Sequence, residues 1–149
     1  VDANTLRIAT ELRRSLARLS RRLRLETSQR GLSGAKHSVL GHLYRGGAST
    51  PGSLASAESV KPQSVTRLLA ELERSGLVMR TQDETDRRQF KVELTAGGRE
   101  VVQREARQRA LWLASAMNSY LTPLERELLG LSAKLLDTLA ASPCHDAST

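Results

Sequence analysis

Pro62 and Gly76 bound a segment in which the apolar side chains fall at Val65, Leu68, Leu69 and Leu72. A spacing of i, i+3, i+4, i+7 places all four on one stripe of a helix. Proline in the first helical turn lacks an N–H that would have had no partner, and glycine just past the last turn adopts the left-handed backbone that ends a helix. A helix is therefore expected over 62–75, with Gln63, Ser64, Arg67, Glu71 and Arg74 outside the buried stripe and Thr66 on its border. Beyond Gly76 the period changes. Leu77-Val78-Met79 and Phe90-Lys91-Val92-Glu93-Leu94 are short, β-prone and separated by the polar run Thr81 to Gln89, which reads as a β-hairpin over 77–94.

The rest of the chain reads as helices around this unit. Ile8, Leu12, Leu16, Leu19 and Leu23 recur at helical spacing, so residues 1–30 are expected to form one amphipathic helix ended by Gly31. Ser33 is a candidate N-cap for a second helix carrying Val39, Leu40 and Leu43, which stops at Gly46-Gly47. A turn-rich linker, Ala48-Ser49-Thr50, leads to a short third helix opened by Pro51, carrying Leu54 and Ala55 and breaking near Ser59. Thr95 is placed to cap a long helix through Val101, Val102, Leu111, Trp112, Leu113 and Met117. A last helix begins near Thr122, with the seam Leu121, Leu124, Leu128, Leu131, Leu135 and Leu139, and 142–149 reads as a frayed tail. The fold class expected is mainly α with a small β-hairpin wing. Two short helices joined by a tight turn and followed by a hairpin have the layout of a winged helix-turn-helix, here 33–98, with 1–30 and 99–141 left as a helical dimerisation region.

Composition limits the classes of function. The net charge is +7 over 149 residues, which favours a polyanionic partner without locating the contact surface. Eight arginines against three acidic residues in 1–30 make that stretch the most basic, whereas 61–91 holds seven basic and five acidic residues. The single cysteine, Cys144, precludes an intramolecular disulfide or a Cys-rich zinc site and fits a reducing cytoplasm. Apolar runs are far shorter than the roughly 20 residues of a membrane span, and no signal peptide is visible. Val1 in place of an initiating Met suggests a start upstream. His37 and His42 are five apart, on different faces of a helix, and no phosphate-binding glycine loop appears, so neither catalysis nor a metal or other cofactor is expected.

The polar face of the 62–75 helix carries groove-reading chemistry. Arg can bridge guanine O6 and N7, Gln can pair with adenine, and hydroxyls can take phosphates or bases. Polar outer faces occur on helices everywhere, so spacing alone leaves ordinary solvated surface as an equal alternative. At the hairpin tip, adjacent Arg87 and Arg88 suit a narrow minor groove, with Asp86 placed to steer Arg88. The runs Val60-Lys61-Pro62-Gln63-Ser64-Val65-Thr66-Arg67-Leu68, Leu72-Glu73-Arg74-Ser75-Gly76-Leu77-Val78-Met79-Arg80, Asp83-Glu84-Thr85-Asp86-Arg87-Arg88 and Leu94-Thr95-Ala96-Gly97-Gly98, in that order and spacing, resemble the MarR family of bacterial regulators.

That resemblance implies a recognition helix at 62–75 with Gln63, Ser64, Thr66 and Arg67 nearest the bases; Lys61, Arg74 and Arg87, basic residues beside or on the helix and at the hairpin tip, are further candidate DNA contacts. It implies Arg88 as a minor-groove arginine oriented by Asp86. Lys61 departs from the family pattern, standing where a small capping residue is usual, so a phosphate contact is exchanged for a side-chain cap.

The resemblance further implies a homodimer built from the first and last helices (Ile8, Leu12, Leu16, Leu121, Leu124, Leu128, Leu131 and Leu135) on a pseudo-palindromic double-stranded DNA operator. It also implies a small aromatic or phenolic effector, for which His37, Leu40, Tyr44, Trp112 and Leu113 are the candidate lining. The alternatives are a winged-helix protein-interaction module without DNA binding, and a metal- or oxidant-responsive regulator, the latter with only Cys144 as its thiol.

Overall fold

The computed structural model describes residues 1–28, 32–82 and 89–142. Along these run α1 (Ala3–Ser28), α2 (Gly34–Gly46), α3 (Pro51–Ala57), α4 (Pro62–Arg74), β1 (Val78–Gln82), β2 (Phe90–Leu94), α5 (Ala96–Tyr120) and α6 (Pro123–Ala140). Residues 1–110 make one compact unit and the chain from Leu111 onward a second, with α5 continuing from one into the other. None of the described helices is long and apolar enough to cross a membrane.

Local chemistry fixes the helix starts. Ser33 accepts from the Lys36 N–H, and Thr50 accepts from the Ser53 N–H at 3.2 Å, satisfying donors that have no intrahelical partner. α4 starts at Lys61, which provides no side-chain cap, while Pro62 reduces by one the donors in need of one. Between α3 and α4 the chain turns through Ser59, whose φ of 52° is a left-handed conformation uncommon for a residue with a side chain. This is the tight turn of the helix pair, at the position where the sequence breaks the third helix.

The core lies within the first unit. Val39, Leu40 and Leu43 of α2 pack with Leu54 and Ala55 of α3, with Val65, Leu69 and Leu72 of α4, and with Val78, Val92, Leu94 and Val102. Leu68, the fourth member of the α4 stripe, is only half-buried at its edge. Each fully buried leucine contributes roughly 1.5–3 kcal/mol of apolar transfer, so four of them (Leu40, Leu54, Leu69, Leu72) bind the helix pair to α2 and the hairpin.

The hairpin differs from the expectation at its first strand. β1 begins at Val78 because the Leu77 N–H is used to close α4, donating to Leu72 O at 3.0 Å. Thr81 and Gln82, expected in the intervening polar run, pair with Lys91 and Phe90. The linker between α2 and α3 is also more than a turn, since Ser49 exchanges two backbone hydrogen bonds with Val92, at 2.8 and 3.0 Å, and so adds a third chain segment beside β2.

One turn joins α4, the hairpin and α5. Gly76, at φ 70°, donates to Glu73 O at 2.9 Å, which together with the Leu77 bond forms a Schellman closure. The Thr95 hydroxyl donates to Gly76 O at 2.6 Å and the Thr95 N–H to Leu77 O at 3.1 Å. The same Thr95 oxygen accepts from the Gly98 N–H at 3.0 Å, capping α5. Gly98 presses so closely here that a Cβ would lie 2.0 Å from Leu77 O.

In the second unit, the Thr122 and Glu125 capping box fixes the start of α6, and Arg126 donates to the Asn118 side-chain oxygen. The hydrogen bonds from Thr122, backbone first, hold the Glu125 carboxyl below its ordinary range. No residue of α6 is buried.

Gly98→Ala is expected to lower stability by about 3 kcal/mol, because the neighbour it would strike is backbone and cannot rotate away. Gly34→Ala, with open space around it, should be neutral or slightly stabilising. Urea unfolding midpoints check both, and an unchanged midpoint for Gly98→Ala would contradict the clamp.

Candidate nucleic-acid interface

Burial of Val65, Leu69 and Leu72 turns the other side of α4 outward. Gln63, Ser64, Thr66, Arg67 and Arg74 are all exposed on it, as is Lys61 before it. The Thr66 hydroxyl donates to Pro62 O at 3.0 Å, so its donor is used within the helix while its methyl and a lone pair stay available. The Arg67 side chain is 87% exposed, its Nε 3.7 Å from Glu71 Oε1. Arg74 folds back on its own helix, donating from Nε to Ala70 O at 3.3 Å.

Acidic groups on this helix are held by basic ones. Glu71 Oε2 lies 3.0 Å from Lys36 Nζ of α2, and this hydrogen bond, then the Lys36 charge, then the more distant Arg67 and Arg74 charges, hold the Glu71 carboxyl below its ordinary range. Glu73 Oε2 lies 3.0 Å from Arg80 Nε on β1. Glu73 is thus engaged with the hairpin, while Glu71 is shared between Lys36 of α2 and Arg67 of its own helix, which leaves Gln63, Ser64 and Thr66 without a carboxylate partner among the described residues. Lys36 escaped sequence reasoning because its partner is 35 positions away and no periodicity links them.

The hairpin stands directly after this helix. Val78, Arg80 and Gln82 share a face with their partners Leu94, Val92 and Phe90, and that face is buried at Val78, Val92 and Leu94. Asp86, Arg87 and Arg88 lie outside the described residues.

A second feature lies between α1, α2 and α5 within the first unit. A cavity of about 740 Å³ is lined among others by Ser20, Arg24, His37, Ser38, Ala106 and Arg109. His37 Nδ1 is 2.5 Å from Glu105 Oε2, and His37 Nε2 is 2.6 Å from Arg109. A guanidinium has only donors, so Nε2 is the acceptor in the contact with Arg109. Of the residues expected to line an effector site, His37 alone is at this cavity. Leu40 is wholly buried in the core, on the inward stripe of α2. Tyr44 is on the exposed side, its hydroxyl accepting from Gln103 at 3.3 Å, while Trp112 and Leu113 are half-buried in the second unit. Arg24 and Arg109 at this cavity, and Glu105 beside His37, carry no signal in the sequence, since residues from three helices meet only in the folded chain.

A helix pair with a tight turn, an outward polar second helix and a hairpin clamped to its end define a winged helix-turn-helix, the architecture of a class of transcriptional regulators. The sequence model of the MarR family matches residues 32–90. An uncharacterized HTH-type transcriptional regulator of Mycobacterium bovis is 38% identical over 130 residues, covering 87% of this chain and 90% of the relative. The crystal structure of a transcriptional regulator protein from Pseudomonas aeruginosa superposes with a TM-score of 0.86 at 34% identity, covering 97% of this chain and all of the other. A mutant of MepR from S. aureus, bound to an oligodeoxyribonucleotide, shares the fold with a TM-score of 0.65 at 23% identity, covering 89% of this chain and 97% of that one. The chain belongs to the MarR family of transcriptional regulators.

The Glu71 shift has a testable sign. A carboxyl depressed in the folded state contributes stability that is present above its unfolded pKa and lost as pH falls through the folded one. The stability difference between wild type and Glu71→Gln should therefore be present near about pH 7 and vanish near about pH 3, read from urea midpoints at each pH. An equal difference at both would show that the Lys36 pair contributes nothing.

Proposed function

We propose that the protein is a homodimeric, effector-responsive repressor that binds a pseudo-palindromic operator, with α4 in the major groove and the hairpin tip in the adjacent minor groove. The observation that carries this reading is the exposed set Gln63, Ser64, Thr66 and Arg67 on a helix whose other side is core. The DNA held by the distantly related MepR supports it. Arg88, steered by Asp86 and flanked by Arg87, is the proposed minor-groove arginine, Lys61 a phosphate contact and Arg74 a backbone contact at the far end of α4. The protein acts by binding rather than catalysis, in the cytoplasm where its DNA is.

Dimerisation is supported by apolar seams that the chain leaves uncovered. Leu124, Leu128, Leu131 and Leu135 of α6 are each more than half exposed, and Ile8, Leu12 and Leu16 of α1 are 37–50% exposed, with Leu121 half-buried beside the α6 seam. Four leucines at i, i+4, i+7, i+11 form an exposed stripe that a two-fold partner would cover. The effector would enter the cavity at His37, where the Arg24 and Arg109 side chains favour an aromatic acid or phenolate. Benzoate as a probe should raise the melting temperature of wild type more than that of Arg109→Gln, and equal shifts would remove this assignment.

The reading is tested by titrating duplex DNA over a range of salt. Wild type should show a steep log-log decline of affinity. Arg67→Ala should cost about 1–3 kcal/mol on the operator and relax discrimination at one base pair. Leu128→Lys should sediment as a monomer and lose operator binding while retaining weak affinity for random duplex. Absence of DNA binding at low salt would favour a protein-interaction module instead.

A further inference from the structure

We propose that Arg80 is a positioning residue that sets the angle at which the wing leaves the recognition helix; this rests on the reading that α4 and the hairpin meet one duplex together. Arg80 occupies the inner face of the hairpin, one inward pair beyond Val78 and Leu94 and directly opposite the fully buried Val92. That is a position where an apolar side chain would ordinarily continue the core. The side chain is instead 39% exposed, and its head group joins three elements. Nε lies 3.0 Å from Glu73 Oε2 in the last turn of α4, and the guanidinium carbon lies 4.7 Å from the centroid of the Phe90 ring on β2.

Arginine can make both contacts at once, because the N–H groups donate in the guanidinium plane while the face of that plane stacks. Lysine, with a single compact ammonium, cannot reproduce both. The ion pair spans the Gly76-Leu77 turn, so it restrains the junction that the backbone bonds of Thr95 also hold. Beyond Arg80 the inner face offers, among the described residues, Gln82 and Phe90, and strands lengthen by about 3.3 Å per residue, so a small rotation at Arg80 grows with distance along the hairpin. A wing at the wrong angle would leave generic phosphate attraction intact while preventing helix and wing from seating together.

The test uses full-length wild type, Arg80→Gln, Arg80→Lys, Glu73→Gln and the Arg80→Gln/Glu73→Gln double variant. Each is measured against an operator recovered by selection from random DNA and against random duplex, over a range of salt, with amide exchange of 78–82 and 90–94 followed without DNA. Arg80→Gln and Glu73→Gln are each expected to weaken operator binding about tenfold, with the double variant no worse than either single and random-duplex affinity unchanged. Arg80→Lys should recover only part of the loss, and hairpin amide exchange should quicken in Arg80→Gln with the urea midpoint nearly unchanged.

The Glu73→Gln arm is the most discriminating, because removing a negative charge strengthens DNA binding if only the overall field matters. Uniform weakening on all sequences in Arg80→Gln, with the salt slope falling by about one, would make Arg80 a phosphate contact and overturn the proposal. Unchanged affinity or unchanged exchange would also overturn it. A wild type that binds DNA without preferring any sequence would instead remove the operator reading itself, and this proposal with it.

Discussion

The backbone turn from Ser75 to Leu77 is where the recognition helix, the hairpin and α5 are joined, and its geometry leaves little freedom. A Schellman closure consumes the Gly76 and Leu77 N–H groups, Thr95 takes both carbonyls that follow, and Gly98 brings the start of α5 against Leu77 O. The bonds sit at an exposed to half-buried turn, so each contributes modestly, and it is the close approach of Gly98 to Leu77 O that leaves the junction no room to rearrange. The outward face of α4 and the hairpin therefore behave as one body, and the core supplied by Val78, Val92 and Leu94 adds apolar burial to the same joint.

Electrostatics complement that mechanical constraint. The recognition helix carries two carboxylates, and each is held by a cation from a different element, Glu71 by Lys36 of α2 and Glu73 by Arg80 of β1. Such pairs contribute little to stability at a half-exposed surface, where water and salt screen them. Their effect is on placement. They hold one oxygen of each carboxylate against a neighbouring element, and Gln63, Ser64, Thr66 and Arg67, the last within 3.7 Å of Glu71 Oε1, are the groups presented outward. The largest concentration of arginine, on α1, lies away from this surface in sequence, which explains why charge counting alone could not locate it.

Much of this was legible in the chain because it is local. Pro62 and Gly76 bracket α4, Ser33 and Thr122 cap α2 and α6, and the leucine periodicities mark the faces that are buried or left bare. What failed to show was of long range. The Ser49 bridge to Val92 turns a linker into part of the sheet. One local bond also escaped, the Leu77 N–H being diverted from strand to helix end, so that β1 starts at Val78. The cavity beside His37 is lined by Arg24 and Arg109 as well, joined from three helices. Partners tens of residues apart leave no periodic trace, so Lys36 with Glu71 and Arg80 with Glu73 and Phe90 become visible only once the helices and hairpin have packed.

The most direct measurement is chemical footprinting of the protein on its selected operator, with dimethyl sulfate reporting guanine N7 in the major groove and hydroxyl radical reporting the sugar edge of the minor groove. If α4 and the hairpin form one reading head in each half of a two-fold pair, N7 protection should occur in two segments about one helical turn apart, each flanked by a protected stretch of minor groove at a constant offset. Protection of the backbone with no N7 signal, or N7 protection without the accompanying minor-groove stretch, would contradict it.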